Sequence, residues 1–264
     1  MADRVVGLLH PGEMGAALAM QLQRGRPVLW ASSGRSLETV QRAEEAGLHD
    51  VGTVEELAES SDVILSVCPP HGALAVAESV AGFDGIYVDA NAVSPMTARQ
   101  VGSLVEEGGA QFVDGGIVGP PPRDGVPPSL YLSGAMAPAV ADLFRDTVVR
   151  ARIVSDEPGS ASAVKMAYAA WTKGTAALLL AIRALARAEG VEATLLDEWQ
   201  ESIPDLPERS DRAALAAGRK GWRWVGEMDE IAGTFAAAGL PDGFHEAAAE
   251  IYRRFPELTA EREP

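Results

Sequence analysis

The sequence predicts an α/β Rossmann-type N-terminal domain followed by an all-α C-terminal domain begun by a long helix, and three observations carry that reading. A short apolar run, Val6-Gly7-Leu8-Leu9, enters His10-Pro11-Gly12-Glu13-Met14-Gly15, with glycines where a nucleotide pyrophosphate would need them. From residue 4 to about 155, β-branched runs alternate with helical patterns, which implies parallel pairing through right-handed crossovers. After Pro158-Gly159 the strand signals stop, and Ser160 to Glu189 gives a helical pattern roughly 45 Å long at the standard rise. The expected boundaries are 1–157 for a dinucleotide-binding domain and 158–264 for a helical substrate and dimerisation domain.

Each element follows from its local pattern. The expected strands are Arg4-Leu9, Arg26-Ala31, Asp62-Val67, Gly85-Asp89, Gln111-Asp114, Ser129-Ser133 and Arg152-Ser155. The first helix covers about Glu13 to Arg24, closed by Gly25-Arg26-Pro27. Beyond the long helix, Leu195-Ser202, Arg209-Gly218, Trp222-Ala238 and Phe244-Phe255 read as helices, punctuated at Pro204, Pro207, Gly239 and Pro241. Leu178, Leu179, Leu180, Ile182 and Leu185 crowd the long helix. Either pairing between two subunits buries them, or the later helices of the same chain cover them.

Composition narrows the function classes. With 264 residues and 47% hydrophobic content the chain can fill a substantial core. Its formal net charge of -16 disfavours nucleic acid and anionic membranes, which attract basic surfaces. The single Cys68 forms no intrachain disulfide, which fits a reducing compartment. No basic region followed by a long apolar stretch opens the chain, and no segment reaches the ~20 apolar residues of a membrane helix, so a cytoplasmic protein is expected. Four scattered histidines have no metal-ligand spacing, so no metal site is expected.

The glycine turn assigns cofactor contacts. Gly12 and Gly15 fill the second and third positions of G-x-G-x-x-G, close approach to pyrophosphate and tight helix-strand packing, while His10 occupies the first. Gly7, Pro11, Glu13 and Met14 belong to the same candidate site. After the second strand an NAD enzyme would place an acid against the ribose hydroxyls, whereas here stand Ser32, Ser33 and Arg35. Hydroxyls and a guanidinium fork suit a 2′-phosphate, so NADP(H) is expected over NAD(H). The same Ser32-Ser36 stretch also reads as a polar loop capping the next helix. Val67, Cys68, Pro69 and Asn91 are expected to flank the nicotinamide. Arg123, in the Pro-rich Gly119-Gly125 loop, would meet an anion.

Lys165 is the candidate for chemistry. Tyr168, Ala169 and Thr172 share its helix face at spacings of three, four and seven, and Ala161, Ala163, Val164, Met166 and Ala167 around it are apolar. Partial desolvation lowers a lysine pKa toward the range useful for proton transfer. A solvated surface lysine is the competing reading from composition alone.

Together these segments resemble the β-hydroxyacid dehydrogenase superfamily, which includes 6-phosphogluconate and 3-hydroxyisobutyrate dehydrogenases. The likeness rests on Gly7-Leu8-Leu9-His10-Pro11-Gly12-Glu13-Met14-Gly15 against G-x-I-G-x-G-x-M-G, and on Val88-Asp89-Ala90-Asn91 with Ser94-Pro95 against D-x-S-T and S-P. Asp114-Gly115-Gly116-Ile117-Val118-Gly119 stands against D-A-P-V-S-G-G, and Gly159-Ser160-Ala161-Ser162-Ala163-Val164-Lys165 against G-x-G-x-x-x-K. Lys165-Met166 and Trp171-Thr172-Lys173-Gly174 resemble the branch in which a helical domain of unknown function follows the NAD-binding domain.

The resemblance implies an NADPH-dependent oxidoreductase interconverting a carbonyl and a hydroxyl on a small polar metabolite, with Lys165 as general acid/base and a homodimer formed through the helical domain. Asn91, Val118, Gly119, Pro120, Lys165, Tyr168, Ala169 and Thr172 are the implied substrate residues. Asn91 and Val118 replace family serines, Pro120 a glycine, and Tyr168 and Ala169 the K-x-x-N-N asparagines, while Gly226-Glu227 stands for the later Lys-Asp pair. These changes remove donors for a substrate carboxylate and leave Asn91, Tyr168 and Thr172 to build a less charged pocket. Imine reduction and a non-catalytic NADP(H)-binding regulatory role are the alternatives.

Overall fold

The computed structural model describes residues 4–23, 27–122 and 126–259. The chain forms two compact units, Met1–Met166 and Ala167–Pro264. In the first, β1 (Val6–Leu9), α1 (Glu13–Leu22), β2 (Val28–Trp30), α2 (Leu37–Glu45), β3 (His49–Asp50), α3 (Val54–Glu59) and β4 (Val63–Ser66) follow one another. Then come α4 (Ala73–Glu78), β5 (Ile86–Asp89), α5 (Pro95–Glu107), β6 (Gln111–Val118), β7 (Ser129–Ser133), α6 (Ala137–Leu143) and β8 (Arg150–Ser155).

The strands form one sheet in the order β3-β2-β1-β4-β5-β6-β7-β8, and β3 through β6 are parallel. This is the doubly wound order, whose ligand crevice opens at the carboxyl ends of the strands where the winding reverses, between β1 and β4. Strands β1, β4 and β5 are buried along their whole length, which is why they read as unbroken apolar runs. A separate core lies on each face, one containing Leu8, Leu18, Trp30 and Val88, the other Leu9, Ile64, Tyr87 and Phe112.

The structure departs from the sequence expectation in this unit at three points. Strand β3 is two residues long, too short for a periodic signal. Strand β6 does not end at Asp114 but runs to Val118, and β7 pairs with it antiparallel, so β6 and β7 form a hairpin. Gly115-Gly116 resembles a turn in sequence, yet both glycines lie inside β6. A Cβ on Gly116 would sit 2.7 Å from the Ala161 carbonyl oxygen and 3.0 Å from the Lys165 Cβ, so glycine here lets a helix lie directly on the strand.

That helix is α7 (Ser160–Ala188), and its start is fixed by a buried carboxylate. Asp114 Oδ2 accepts from the backbone N–H of Gly159 at 3.0 Å and of Ser162 at 2.9 Å, and from Ser133 Oγ at 2.9 Å. Its Oδ1 accepts from Ser162 Oγ at 2.6 Å. Ser133 Oγ accepts in turn from the Ala161 N–H at 3.0 Å. The first amides of a helix have no intrahelical acceptors, and here side chains of β6 and β7 supply them.

The second unit contains the rest of α7, α8 (Glu192–Ser202), α9 (Leu206–Ala237) and α10 (Gly243–Thr259). Two helices expected over 209–218 and 222–238 are one. The Gly218 and Gly221 positions cost only about 1 kcal/mol each relative to alanine, too little to break a helix held by packing. Met228 and Ile231 of α9 and Ala248, Ala249 and Tyr252 of α10 are buried, and Trp224 meets Tyr252 edge-on at 5.1 Å. Tyr252 Oη donates to the Lys173 carbonyl at 2.6 Å, and Lys173 pairs with Glu227. No helix among the described residues is long and apolar enough to cross a membrane.

Replacing Asp114 by alanine strands the Gly159 and Ser162 amides in a buried site. Urea unfolding of Asp114→Ala should show a loss of about 3 kcal/mol, since a hydrogen-bonded charged acceptor is removed. A loss below about 0.5 kcal/mol would show that the carboxylate does not hold the helix start.

Candidate active site

Three groups of residues gather at the carboxyl ends of the parallel strands. The first is the turn after β1. A Cβ on Gly15 would collide with the His10 carbonyl, so Gly15 is what lets α1 begin close against the strand. Gly12 is the N-cap of α1, with no side-chain cap and nothing within 4 Å of a notional Cβ. No side chain therefore caps the helix start, the arrangement that receives a pyrophosphate. Glu13 lies exposed in the first helical turn, and Met14 packs on the core. Gly7 lies inside β1, where a Cβ would come within 2.5 Å of Ser61 Oγ, so packing alone accounts for it.

His10 stands where the motif has its first glycine, and among the described residues no non-glycine has positive φ. The turn therefore makes no left-handed demand there, and a side chain is accommodated. Burial, with the charge of Arg35 adding to it, lowers the His10 pKa from 6.5 to about 4. The imidazole is neutral at pH 7, and its Nδ1 is buried without a hydrogen-bond partner.

The second group is the loop after β2. Asp50 Oδ1 accepts from the Ser32 N–H at 3.2 Å and the Gly52 N–H at 2.9 Å, and Ser33 donates from its backbone to the Gly52 carbonyl at 2.9 Å. Ser36, not Ser32 or Ser33, caps α2 by accepting from the Thr39 N–H. The capping and binding readings of this stretch thus fall on different serines. Among the described residues Arg35 has no carboxylate in salt-bridge range, and burial lowers its pKa. Arg42 is different: its guanidinium pairs with Glu38 at 2.5 Å and donates to the Pro11 carbonyl at 3.2 Å, tying α2 to the glycine turn. Sequence reasoning missed Arg42 and Asp50. Glu38 and Arg42 show only the four-residue spacing of an exposed helical pair, and β3 is too short to flag Asp50.

The third group surrounds the ends of β4, β5 and β6. Asn91 Oδ1 accepts from the Cys68 N–H at 2.5 Å, and its Nδ2 donates to Ser66 Oγ at 3.3 Å. Asn91 is 2% exposed, so this amide joins β4 to β5. Val67 donates from its backbone to the Leu9 carbonyl at 2.5 Å, and Pro69 opens a short turn, Pro70–Gly72. Burial first, and then the charge of Asp89, pushes the Cys68 thiol up to about 12, which makes it inert. Val118 ends β6 half-buried. Gly119 has φ +117 with a notional Cβ 3.1 Å from Pro128, a position that requires glycine, and Pro120 is exposed. Arg123 lies outside the described residues.

Lys165 is half-buried, and its Nζ donates to the Ile117 carbonyl at 2.8 Å. The Asp114 anchor and the missing Cβ of Gly116 bring this ammonium to the end of β6. Tyr168, Ala169 and Thr172 belong to the second unit, where Tyr168 is 49% exposed, Ala169 is buried, and Thr172 Oγ1 donates to the Tyr168 carbonyl at 3.2 Å. Glu227, opposite Lys173, is an element of that unit's own packing. No cluster of metal-ligating side chains occurs among the described residues.

Residues 5–125 match the model of the NAD binding domain of 6-phosphogluconate dehydrogenase, and residues 186–255 match a domain of unknown function (DUF1932). A conserved protein of unknown function, described as structurally similar to 3-hydroxyacid dehydrogenases, is 31% identical over 96% of this chain and 97% of its own, with a TM-score of 0.71. 3-Hydroxyisobutyrate dehydrogenase of Salmonella typhimurium shares the fold, with a TM-score of 0.75 and 17% identity over 97% of this chain and 95% of its own. A reductive aminase of Aspergillus terreus, solved with NADPH and ethyl levulinate, also does, with a TM-score of 0.62 and 20% identity over 96% and 94%.

His10 is a base whose folded pKa lies below its unfolded value, so the unfolded chain takes up the proton first and stability falls as pH drops from about 6.5 toward 4. His245, buried in the second unit, shifts in the same direction. Urea midpoints measured between pH 7 and pH 4.5 should fall for the wild type and fall less for His10→Asn. An identical fall in both would contradict the buried neutral state of His10.

Proposed function

We propose that this chain, which belongs to the β-hydroxyacid dehydrogenase superfamily, is an NADPH-dependent oxidoreductase that interconverts a carbonyl and a hydroxyl on a small polar metabolite, with Lys165 as the general acid/base. The observation that carries the reading is the seating of Lys165. A family-position lysine, half-buried, is held at 2.8 Å on a strand-end carbonyl at the edge of the crevice where this fold binds dinucleotides.

The residues present fit a dinucleotide. Gly12 and the start of α1 would hold the pyrophosphate, and Ser32, Ser33 and Arg35 the 2′-phosphate. Among the described residues Arg35 has no carboxylate in salt-bridge range, and this supports NADP(H) over NAD(H). When bound, the nicotinamide supplies or accepts the hydride. In reduction Lys165 gives a proton to the carbonyl oxygen, and in oxidation it removes one from the hydroxyl. The Ile117 carbonyl orients the ammonium, while Val67, Cys68 and the Asn91 bridge wall the crevice without entering the chemistry.

One observation favours a second reading, imine reduction. The Asn91 amide is spent between Ser66 and Cys68, and Val118 offers only hydrocarbon, so few donors remain for a substrate carboxylate. The helical unit supports a homodimer: Tyr168, Trp171, Leu178 and Leu185 of α7 are all exposed and recur at spacings of three and seven. A cytoplasmic location is consistent with the lone Cys68.

The test is NADPH consumption on a panel of keto acids, aldehydes and cyclic imines, with wild type and Lys165→Met side by side. Lys165→Met should retain NADPH binding within about twofold and lose at least 100-fold in kcat, the scale of a general acid. Turnover at the wild-type rate would sink the mechanism, and activity on imines alone would select the second reading.

A further inference from the structure

One peptide unit of the glycine turn is held at both ends. Its N–H, that of Gly12, donates to the His10 carbonyl at 2.8 Å, and its C=O, that of Pro11, accepts from Arg42 Nη1 at 3.2 Å. A peptide unit is planar and, in the trans form, its N–H and C=O point opposite ways, so bonds at both ends fix the rotation of the plane. The residue that follows needs this. Gly12 is the N-cap of α1 with φ -71° and ψ -179°, a conformation any residue adopts, and nothing lies within 4 Å of a notional Cβ. No side-chain packing restrains it, and an unrestrained glycine has the widest choice of backbone angles.

Arg42 is itself held in place to supply the outer bond. Its Nη2 pairs at 2.5 Å with Glu38, one turn earlier in α2, while Nη1 reaches a carbonyl 31 residues away in sequence. A surface pair at this spacing adds little stability of its own. Its effect is to orient the guanidinium, whose planar fork then loses little freedom in making the second bond. The far end of α2 is tied as well: Gln23, the C-cap residue of α1, donates from Nε2 to the carbonyl of Ala46, the C-cap residue of α2, at 2.8 Å. Arg42 thus reaches the turn from a helix fastened to the far end of the helix that the turn begins.

Resting on the dinucleotide reading above, we propose that Arg42 is a positioning residue for the cofactor: it clamps the Pro11–Gly12 peptide so that the start of α1 meets the pyrophosphate in one fixed orientation. Both Nη groups of Arg42 are bonded within the protein, so its action on the cofactor passes through the turn. NADPH and NADH carry the same pyrophosphate, and the clamp therefore serves both equally. Arg35 is different, because only NADPH carries the phosphate proposed for it.

The experiment combines hydrogen exchange of the cofactor-free protein with titrations of NADPH and NADH, for wild type, Arg42→Met and Arg42→Lys. Methionine keeps an unbranched stem and removes the donor, whereas lysine can still donate to the Pro11 carbonyl. In Arg42→Met the segment 10–15 should exchange at least about tenfold faster, while segments of β4 and β5 keep their wild-type rates. Both dissociation constants should rise about tenfold, the scale of one charge-assisted hydrogen bond, and by the same factor within about twofold. Arg42→Lys should recover most of both losses. Wild-type exchange in the turn, or faster exchange throughout the first unit, would overturn the proposal, the second by making Arg42 a general stabiliser of the fold. A loss confined to NADPH would overturn it by making Arg42 a direct ligand of the 2′-phosphate. If wild type binds both dinucleotides and Arg42→Met binds them equally well, the cofactor reading stands and the role of Arg42 falls. If wild type binds neither, the cofactor reading fails and the proposal falls with it.

Discussion

The Asp114 carboxylate, buried at 0% exposure, accepts four hydrogen bonds, and three of them come from the segment that opens α7. Burying a charge is costly unless it is fully satisfied, and here the unsatisfied amides of a helix start satisfy it. The two requirements meet in one place and fix the rotation of the helix about its axis. Lys165 lies one turn further on, over a glycine that lets the helix touch the sheet. A methyl group at Gly116 or a neutral residue at Asp114 would move the ammonium away from the strand end. Placement of the Lys165 ammonium at the strand end thus rests on Asp114 and Gly116.

The cofactor end is organised by a different balance. Asp50 spends its carboxylate on the backbone of Ser32 and Gly52, and Glu38 spends its own on Arg42. Both acids are thereby committed to groups of the protein, while among the described residues Arg35 has no carboxylate in salt-bridge range. An NAD enzyme places an acid against the ribose, whereas here Asp50 and Glu38 both carry protein partners. Asn91 likewise bonds within the protein: its amide holds the ends of β4 and β5 together.

Much of this was legible in the sequence. The β1 turn, the alternating strands and the long helix carry strong periodic and glycine signals, and the parallel order follows from them. The β6–β7 hairpin was not, because Gly115-Gly116 has the composition of a turn and its purpose, clearance for Ala161 and Lys165, exists only in three dimensions. Gly218 and Gly221 misled in the opposite direction, looking like a break where tertiary packing carries α9 straight through. At the site, Gly12, Gly15 and Lys165 were readable from motif spacing. Asn91 and Cys68, expected to flank the nicotinamide, follow β5 and β4, and the Asn91 amide bonds the two strand ends together. Arg42 and Asp50 could not be found, since a helix-surface ion pair and a two-residue strand have no distinctive pattern.

The central claim is that the Asp114 anchor sets the position of Lys165, the residue proposed to transfer the proton. Its most direct test is steady-state kinetics of Asp114→Asn, a variant that keeps one acceptor and the shape of the side chain, on whichever carbonyl compound the wild type reduces. The account predicts a fall in kcat of more than about tenfold, with NADPH affinity within twofold, because a displacement of about 1 Å at a catalytic group costs far more than it does at a binding contact. A folded Asp114→Asn protein with wild-type kcat would contradict it.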